Sequence, residues 1–165
     1  MAEHNFLGRA WEIIERTRIG MLTTQFSGGL RARPLEVRAD IEAGLIWFVT
    51  DVRGAKDDEI NVANDVGLVL IDEDNRAHLS ITGRATATRD SAKAKEIWKG
   101  TDDIWFPSGP DDPNLLLLRF EPNSAELWEG QSGALGVTFE FAKTRLTDER
   151  RNLGENRKVT VPTGC

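Results

Sequence analysis

Residues 77–89 alternate without a break. Ala77, Leu79, Ile81, Gly83, Ala85 and Ala87 share one parity, and His78, Ser80, Thr82, Arg84, Thr86 and Thr88 the other. A period of two over this length predicts a strand with one face in a core and one polar face. Shorter strand-like runs occupy 18–26, 34–39, 45–50, 66–71 and 115–128, the last interrupted near Pro122. The polar or glycine-bearing stretches Ser27-Gly28-Gly29, 40–44 and 72–75 separate several of these runs at hairpin length. The first segment has a different period. Phe6, Leu7, Ala10, Trp11, Ile13, Ile14 and Thr17 recur at helical spacing among charged residues, which predicts an amphipathic helix. Further helices are predicted over 55–64, over 91–99 with Asp90 as N-cap and Gly100 as stop, and over 133–146. Of the two adjacent aromatics in 45–50, Trp47 and Phe48, alternation puts one in the core and one nearer an interface; Trp128 is expected in the core.

Six strands in meander order with helices inserted between them predict a mainly β protein, a six-stranded antiparallel barrel with peripheral helices. The barrel domain is expected over 1–132, followed by a C-terminal helix and polar tail over 133–165. No repeat or linker interrupts the chain.

Composition narrows the setting. The 165 residues carry 21 basic and 27 acidic side chains, a net charge of −6, which argues against a nucleic-acid or anionic-membrane surface. The sole cysteine is Cys165 and the histidines are His4 and His78, so neither a disulfide framework nor a multi-histidine metal site is expected. The N-terminal residues do not read as a signal peptide, and apolar runs such as 115–118 are far below a membrane span. A cytoplasmic protein is expected. A Gly-x-Gly-x-x-Gly fingerprint, a P-loop and a Gly-x-Ser-x-Gly elbow are all absent.

Against this acidic background, basic residues gather in one stretch. Arg31 and Arg33 flank the start of one strand, and Arg53 and Lys56 follow another, with Lys56 opening a short predicted helix. A phosphate monoester carries close to two charges and three acceptor oxygens. Arg meets it with a donor fork and Lys with a point charge. Thr50, at a strand end, adds a hydroxyl, and the helix start adds backbone N–H groups. The alternative is that these are surface cations paired with nearby acids. The cluster Asp57-Asp58-Glu59 reads as a solvated first helical turn, and the Arg150-Arg151 and Arg157-Lys158 pairs as tail residues.

Several segments occur in an order and spacing that resemble one family. They are Met21-Leu22-Thr23-Thr24, Arg33-Pro34-Leu35, Trp47-Phe48-Val49-Thr50-Asp51, Lys56 with Glu59-Ile60, Ile81-Thr82-Gly83, Trp105-Phe106-Pro107 with Gly109, and Ala125-Glu126-Leu127-Trp128. Over about residues 5–130 the chain resembles the FMN-binding split barrels related to pyridoxamine 5′-phosphate oxidase, and most of all the bacterial general stress proteins among them. The resemblance implies a split barrel and a homodimer with FMN at the subunit interface. It implies Arg33 and Lys56 on the phosphate, and Val49 and Thr50 along the phosphate and ribityl chain. The backbone of Pro34, Leu35 and Glu36 would run beside the ring edge, and His78 and Ser80 would come from the partner subunit. Trp105 and Phe106 are placed either over the flavin ring or as a loop anchor.

The C-terminal end, KVTVPTGC, departs from the basic, proline-containing end of the oxidase proper, and Gly54-Ala55-Lys56 stands where the oxidase has paired Arg-Lys. The expectation is therefore a flavin-dependent oxidoreductase without vitamin B6 oxidase activity, using a small-molecule electron donor or acceptor, with no catalytic side chain assigned. Two alternatives stand beside it. One is a flavin-binding stress or sensor protein without turnover. The other is the same barrel with a tetrapyrrole, a deazaflavin or no cofactor.

Overall fold

Alternating apolar residues can be buried only if their strands find partners, and the pairing found here wraps one sheet around its own apolar face. The computed structural model describes residues 6–52, 64–129, 136–140 and 159–160, with side chains described for the first two spans. Helix α1 (Phe6–Arg16) comes first. Then follow β1 (Ile19–Phe26), β2 (Gly29–Glu36), β3 (Arg38–Asp40), β4 (Leu45–Asp51), β5 (Asp65–Asp72) and β6 (Ala77–Thr88). Helix α2 (Ser91–Ile97), two 3-10 turns (Gly100–Ile104 and Gly109–Asp111), β7 (Leu115–Glu129), β8 (Gly136–Glu140) and β9 (Val159–Thr160) complete the described elements.

Seven strands run in the order β2-β1-β5-β6-β7-β4-β3, every pair antiparallel. β2 also lies against β4, so the sheet curls into a half-barrel. The curl encloses Leu22, Ile46, Phe48, Leu68, Leu79, Ile81, Leu118 and Phe120, all buried, and α1 adds Leu7, Ala10, Ile13 and Ile14 to the same core. These four and Trp11, five buried positions at helical spacing, explain the place of α1. A second, smaller core holds Leu45, Trp47, Ala94, Phe106, Leu115 and Leu117. It lies on the other face of β4 and β7, under α2 and the segment that follows it.

Seven strands, not the expected six, form this path, and the reason is local. The run 34–39 is not one strand. β2 ends at Glu36 and pairs with β1, whereas β3 begins at Arg38 and pairs with β4 at the opposite end of the path. Val37, buried between them, donates its N–H to Arg18 O at 2.9 Å and carries the chain across the opening. The expected break at Pro122 is a register shift rather than an end. β7 runs unbroken from Leu115 to Glu129 and bulges at Asn123, the residue left unpaired between the Thr82–Ser124 and Gly83–Pro122 pairs. Helical spacing over 133–146 also misleads in part. Residues Gly136–Glu140 form β8 on the edge of β7, from Ser124 to Trp128, so edge pairing overrides the pattern. The predicted helix over 55–64 apart from Asn64, Arg53, the acidic cluster 57–59 and the tail pairs at 150–151 and 157–158 lie outside the described residues.

Candidate functional site

Arg33 sits on the edge strand β2, opposite Leu22, with its side chain on the inward face of the curl, where it is half-buried. One of its guanidinium N–H groups donates to Thr24 Oγ1 at 3.1 Å. Thr24 is only 1% exposed. It occupies the inward phase of β1 after Gly20 and Leu22, so a polar group stands where alternation calls for an apolar one. Its hydroxyl steers the guanidinium instead of filling the core. Arg31, two residues back on the same face, lies over the Phe26 ring at 4.4 Å. Thr50 is also buried and inward, following Ile46 and Phe48 on β4. Because β2 lies against β4, the strands carrying Arg33 and Thr50 are neighbours without being paired. A guanidinium and two buried threonine hydroxyls are therefore borne by three adjoining strands of an acidic protein, a donor set suited to a phosphate group. Lys56, the other cation expected here, lies outside the described residues.

Val49 does not share the inward face. Its side chain packs against the second core with Trp47, so only its backbone is available to a ligand near Thr50. Trp47 and Phe48 are both buried, one in each core, in place of the expected division between core and interface. Pro34 is exposed opposite Met21, on the outward face. Leu35 points inward against the main core.

Glu36 ties β2 to the segment after α2. Its carboxylate accepts from Lys99 Nζ at 2.9 Å and lies 3.6 Å from Arg18 Nε and 4.0 Å from an Arg38 nitrogen. Partial burial opposes its ionisation, but the Lys99 hydrogen bond and the three cations outweigh that and hold the carboxyl below its ordinary range. Arg38, absent from the sequence-based site, is the hinge of the same cluster. Both sides of its pair with Asp102 are buried, at 2.7 and 2.9 Å. Its Nε donates to Ile97 O at 3.2 Å, satisfying a carbonyl at the end of α2.

His78 and Ser80 lie on the outward face of β6, His78 exposed and Ser80 half-buried. His78 stands between Ile71 and Trp128, and Ser80 between Val69 and Glu126. Within one chain this is the opposite side of the sheet from Arg33 and Thr50, so the two sets do not meet. Trp128 is half-buried beside His78 and is not a core residue. Around them the outward face is apolar: Ile19, Met21, Val69 and Ile71 are each 39–51% exposed. Phe106 is a loop anchor, 4% exposed in the second core, whereas its neighbour Trp105 is 72% exposed.

The family model for proteins like pyridoxamine 5′-phosphate oxidase matches residues 7–152. The chain belongs to that pyridoxamine 5′-phosphate oxidase-like family. General stress protein 26 of Bacillus subtilis is 25% identical over 131 residues, covering 77% of this chain and 91% of that protein. Among solved structures of the family's fold, a Clostridium acetobutylicum protein related to general stress protein 26 superposes with a TM-score of 0.72. It has 22% identity and covers 86% of this chain and 97% of its own. The general stress FMN/FAD binding protein of Xanthomonas citri superposes with a TM-score of 0.66 at 26% identity, covering 75% and 88%. No helix among the described residues is long and apolar enough to cross a membrane.

Proposed function

We propose that this protein is an FMN-binding homodimer and a flavin-dependent oxidoreductase of the stress-protein branch of its family. The observation that carries the reading is Arg33, half-buried at the mouth of an acidic half-barrel and oriented by the buried Thr24 hydroxyl. A solvated surface cation needs no such partner. Together with Thr50, and with Lys56 as the second cation, it forms the phosphate end of the site. From there β2 offers the backbone of Pro34, Leu35 and Glu36 to the ring edge. Bound FMN supplies hydride or electron transfer, as flavins do. The chain's own work is to hold the phosphate, orient the ring and shield one side of it from water.

The second subunit enters for two reasons. His78 and Ser80 reach a site on Arg33 only from another copy, because one chain sets them on the opposite sheet face. The apolar row of Ile19, Met21, Val69 and Ile71 also needs a cover in water. A twofold pairing of this face on itself meets both needs.

A specific observation keeps a non-catalytic reading in play. The curated relative is named for stress and not for a reaction, and His78 is the only histidine among the described residues. Anaerobic mixing of the FMN-loaded protein with NADH or NADPH separates the two. Bleaching of the visible flavin band within seconds to minutes is expected of the oxidoreductase. A band unchanged by both donors, and by other two-electron donors, leaves a flavin-binding stress protein.

A further inference from the structure

The inward face of the β1–β2 hairpin carries more than the Arg33 grip. Arg33, Thr24, Arg31 and Phe26 follow one another on this face toward the hairpin tip. Thr24 stands directly opposite Arg31 in the pairing. Arg33, opposite Leu22, leans tipward and donates to that same threonine at 3.1 Å. Two arginines therefore flank one buried hydroxyl. Arg31 leans tipward as well, with its guanidinium 4.4 Å from the centre of the Phe26 ring. Arg31 is exposed and Phe26 half-buried, so the stack is reached from solvent. The turn leaves space for it. A Cβ at Gly28 would meet the Phe26 ring at 2.5 Å, so the ring lies close over a position that glycine keeps clear.

The spacing of the cations carries chemical information. A phosphate monoester concentrates close to two charges on one phosphorus. A diphosphate diester spreads its charge over two, one on each. Arginines two residues apart on a strand have Cα atoms roughly 7 Å apart, and their long side chains suit the second distribution, one guanidinium to each phosphate. A planar guanidinium also stacks on flat π systems, and an arginine laid on a phenyl ring is a platform for a nucleobase.

The order along β2 decides what meets this platform. With the flavin ring edge along Pro34, Leu35 and Glu36 and the phosphate at Arg33, Arg31 and Phe26 lie beyond the phosphate, on the side away from the ring. A group bound there is joined to the flavin only through that phosphate.

We propose that Arg31 and Phe26 form a second subsite, which takes the nucleotide half of a flavin dinucleotide. Arg31 holds the second phosphate, and the Arg31–Phe26 stack takes the base. The proposal rests on the FMN reading of Arg33 and adds a specificity determinant to it, because the pair discriminates the dinucleotide from the mononucleotide.

Equilibrium ultrafiltration of the apo protein with FMN and with FAD tests it, since both ligands are read by the same visible flavin band. The parent is expected to bind FAD roughly tenfold more tightly than FMN, the scale of one stacked base. Arg31→Gln and Phe26→Leu should each bring the two affinities to within about threefold of one another, with native circular dichroism. Arg31→Lys, which keeps the charge and loses the flat group, should give an intermediate ratio. A parent that binds FAD no more tightly than FMN overturns the subsite while the FMN reading stands. So does a parental FAD-to-FMN ratio in Arg31→Gln with both affinities unchanged. Equal proportional loss of FMN and FAD in Arg31→Gln also overturns it, and makes Arg31 a further cation of the FMN phosphate. A parent that binds neither flavin overturns both readings.

Discussion

At the scale of single residues, the site depends on polar groups placed where the sheet's alternation would put apolar ones. Thr24 follows Gly20 and Leu22 on the inward phase of β1 and receives Arg33. Arg38 lies next to the strand break at Val37 and meets Asp102 with both partners out of water. Removing one member of such a pair strands the other charge. Arg38→Ala is therefore expected to cost about 3–5 kcal/mol of stability, read as a lower denaturant midpoint. Arg38→Met combined with Asp102→Leu should recover most of the loss, because no uncompensated charge remains. The clue to Thr24 was present in the sequence as a threonine on an otherwise apolar parity. Arg38 carried no local clue, since its partner is 64 positions away. The charge pattern drew attention to Arg33, but nothing in it disclosed that Thr24 orients the guanidinium.

At the scale of elements, strands were legible wherever alternation was long. β6 was expected over 77–89 and runs Ala77–Thr88, and the helix expected over 91–99 runs Ser91–Ile97 with Asp90 accepting from Lys93 N at 2.9 Å. What stayed hidden depends on partners rather than on local pattern. A strand that changes neighbours at Val37, and residues 136–140 that pair with the edge of β7, are settled by tertiary contact. The β7 bulge that packs against Gly83 is of the same kind. A Cβ there would meet Glu121 O at 2.2 Å and the Phe120 ring at 2.9 Å. Since one contact is backbone, Gly83→Ala should destabilise the protein by about 1–3 kcal/mol. Gly20→Ala meets side chains rather than backbone, the ends of Leu68 and Leu70 and, at 3.1 Å, Val37 Cγ2, and should cost less. Thermal melts of the two variants, measured side by side, check the order.

At the scale of the whole molecule, the half-barrel divides its two faces between two tasks. The inward face makes the core and, at its mouth, the Arg33–Thr24 pair. The outward face carries His78 and Ser80 among exposed Ile19, Met21, Val69 and Ile71. The proposed dimer joins them, which couples assembly to cofactor binding. Met21→Glu with Ile71→Glu leaves the core untouched and places two like charges in each copy of the apolar row. Sedimentation at micromolar concentration should then show a monomer with native circular dichroism and weakened FMN binding. A dimer that persists with FMN affinity intact would place the interface elsewhere.

The central claim is that Arg33 grips the phosphate of FMN, and an equilibrium titration of apo protein with FMN tests it most directly, comparing the parent with Arg33→Ala. The account predicts saturable binding by the parent, one FMN per chain, weakened at least about tenfold in the variant through loss of a charge-assisted hydrogen bond. Equal affinity of the two proteins, or no binding by the parent, would contradict it.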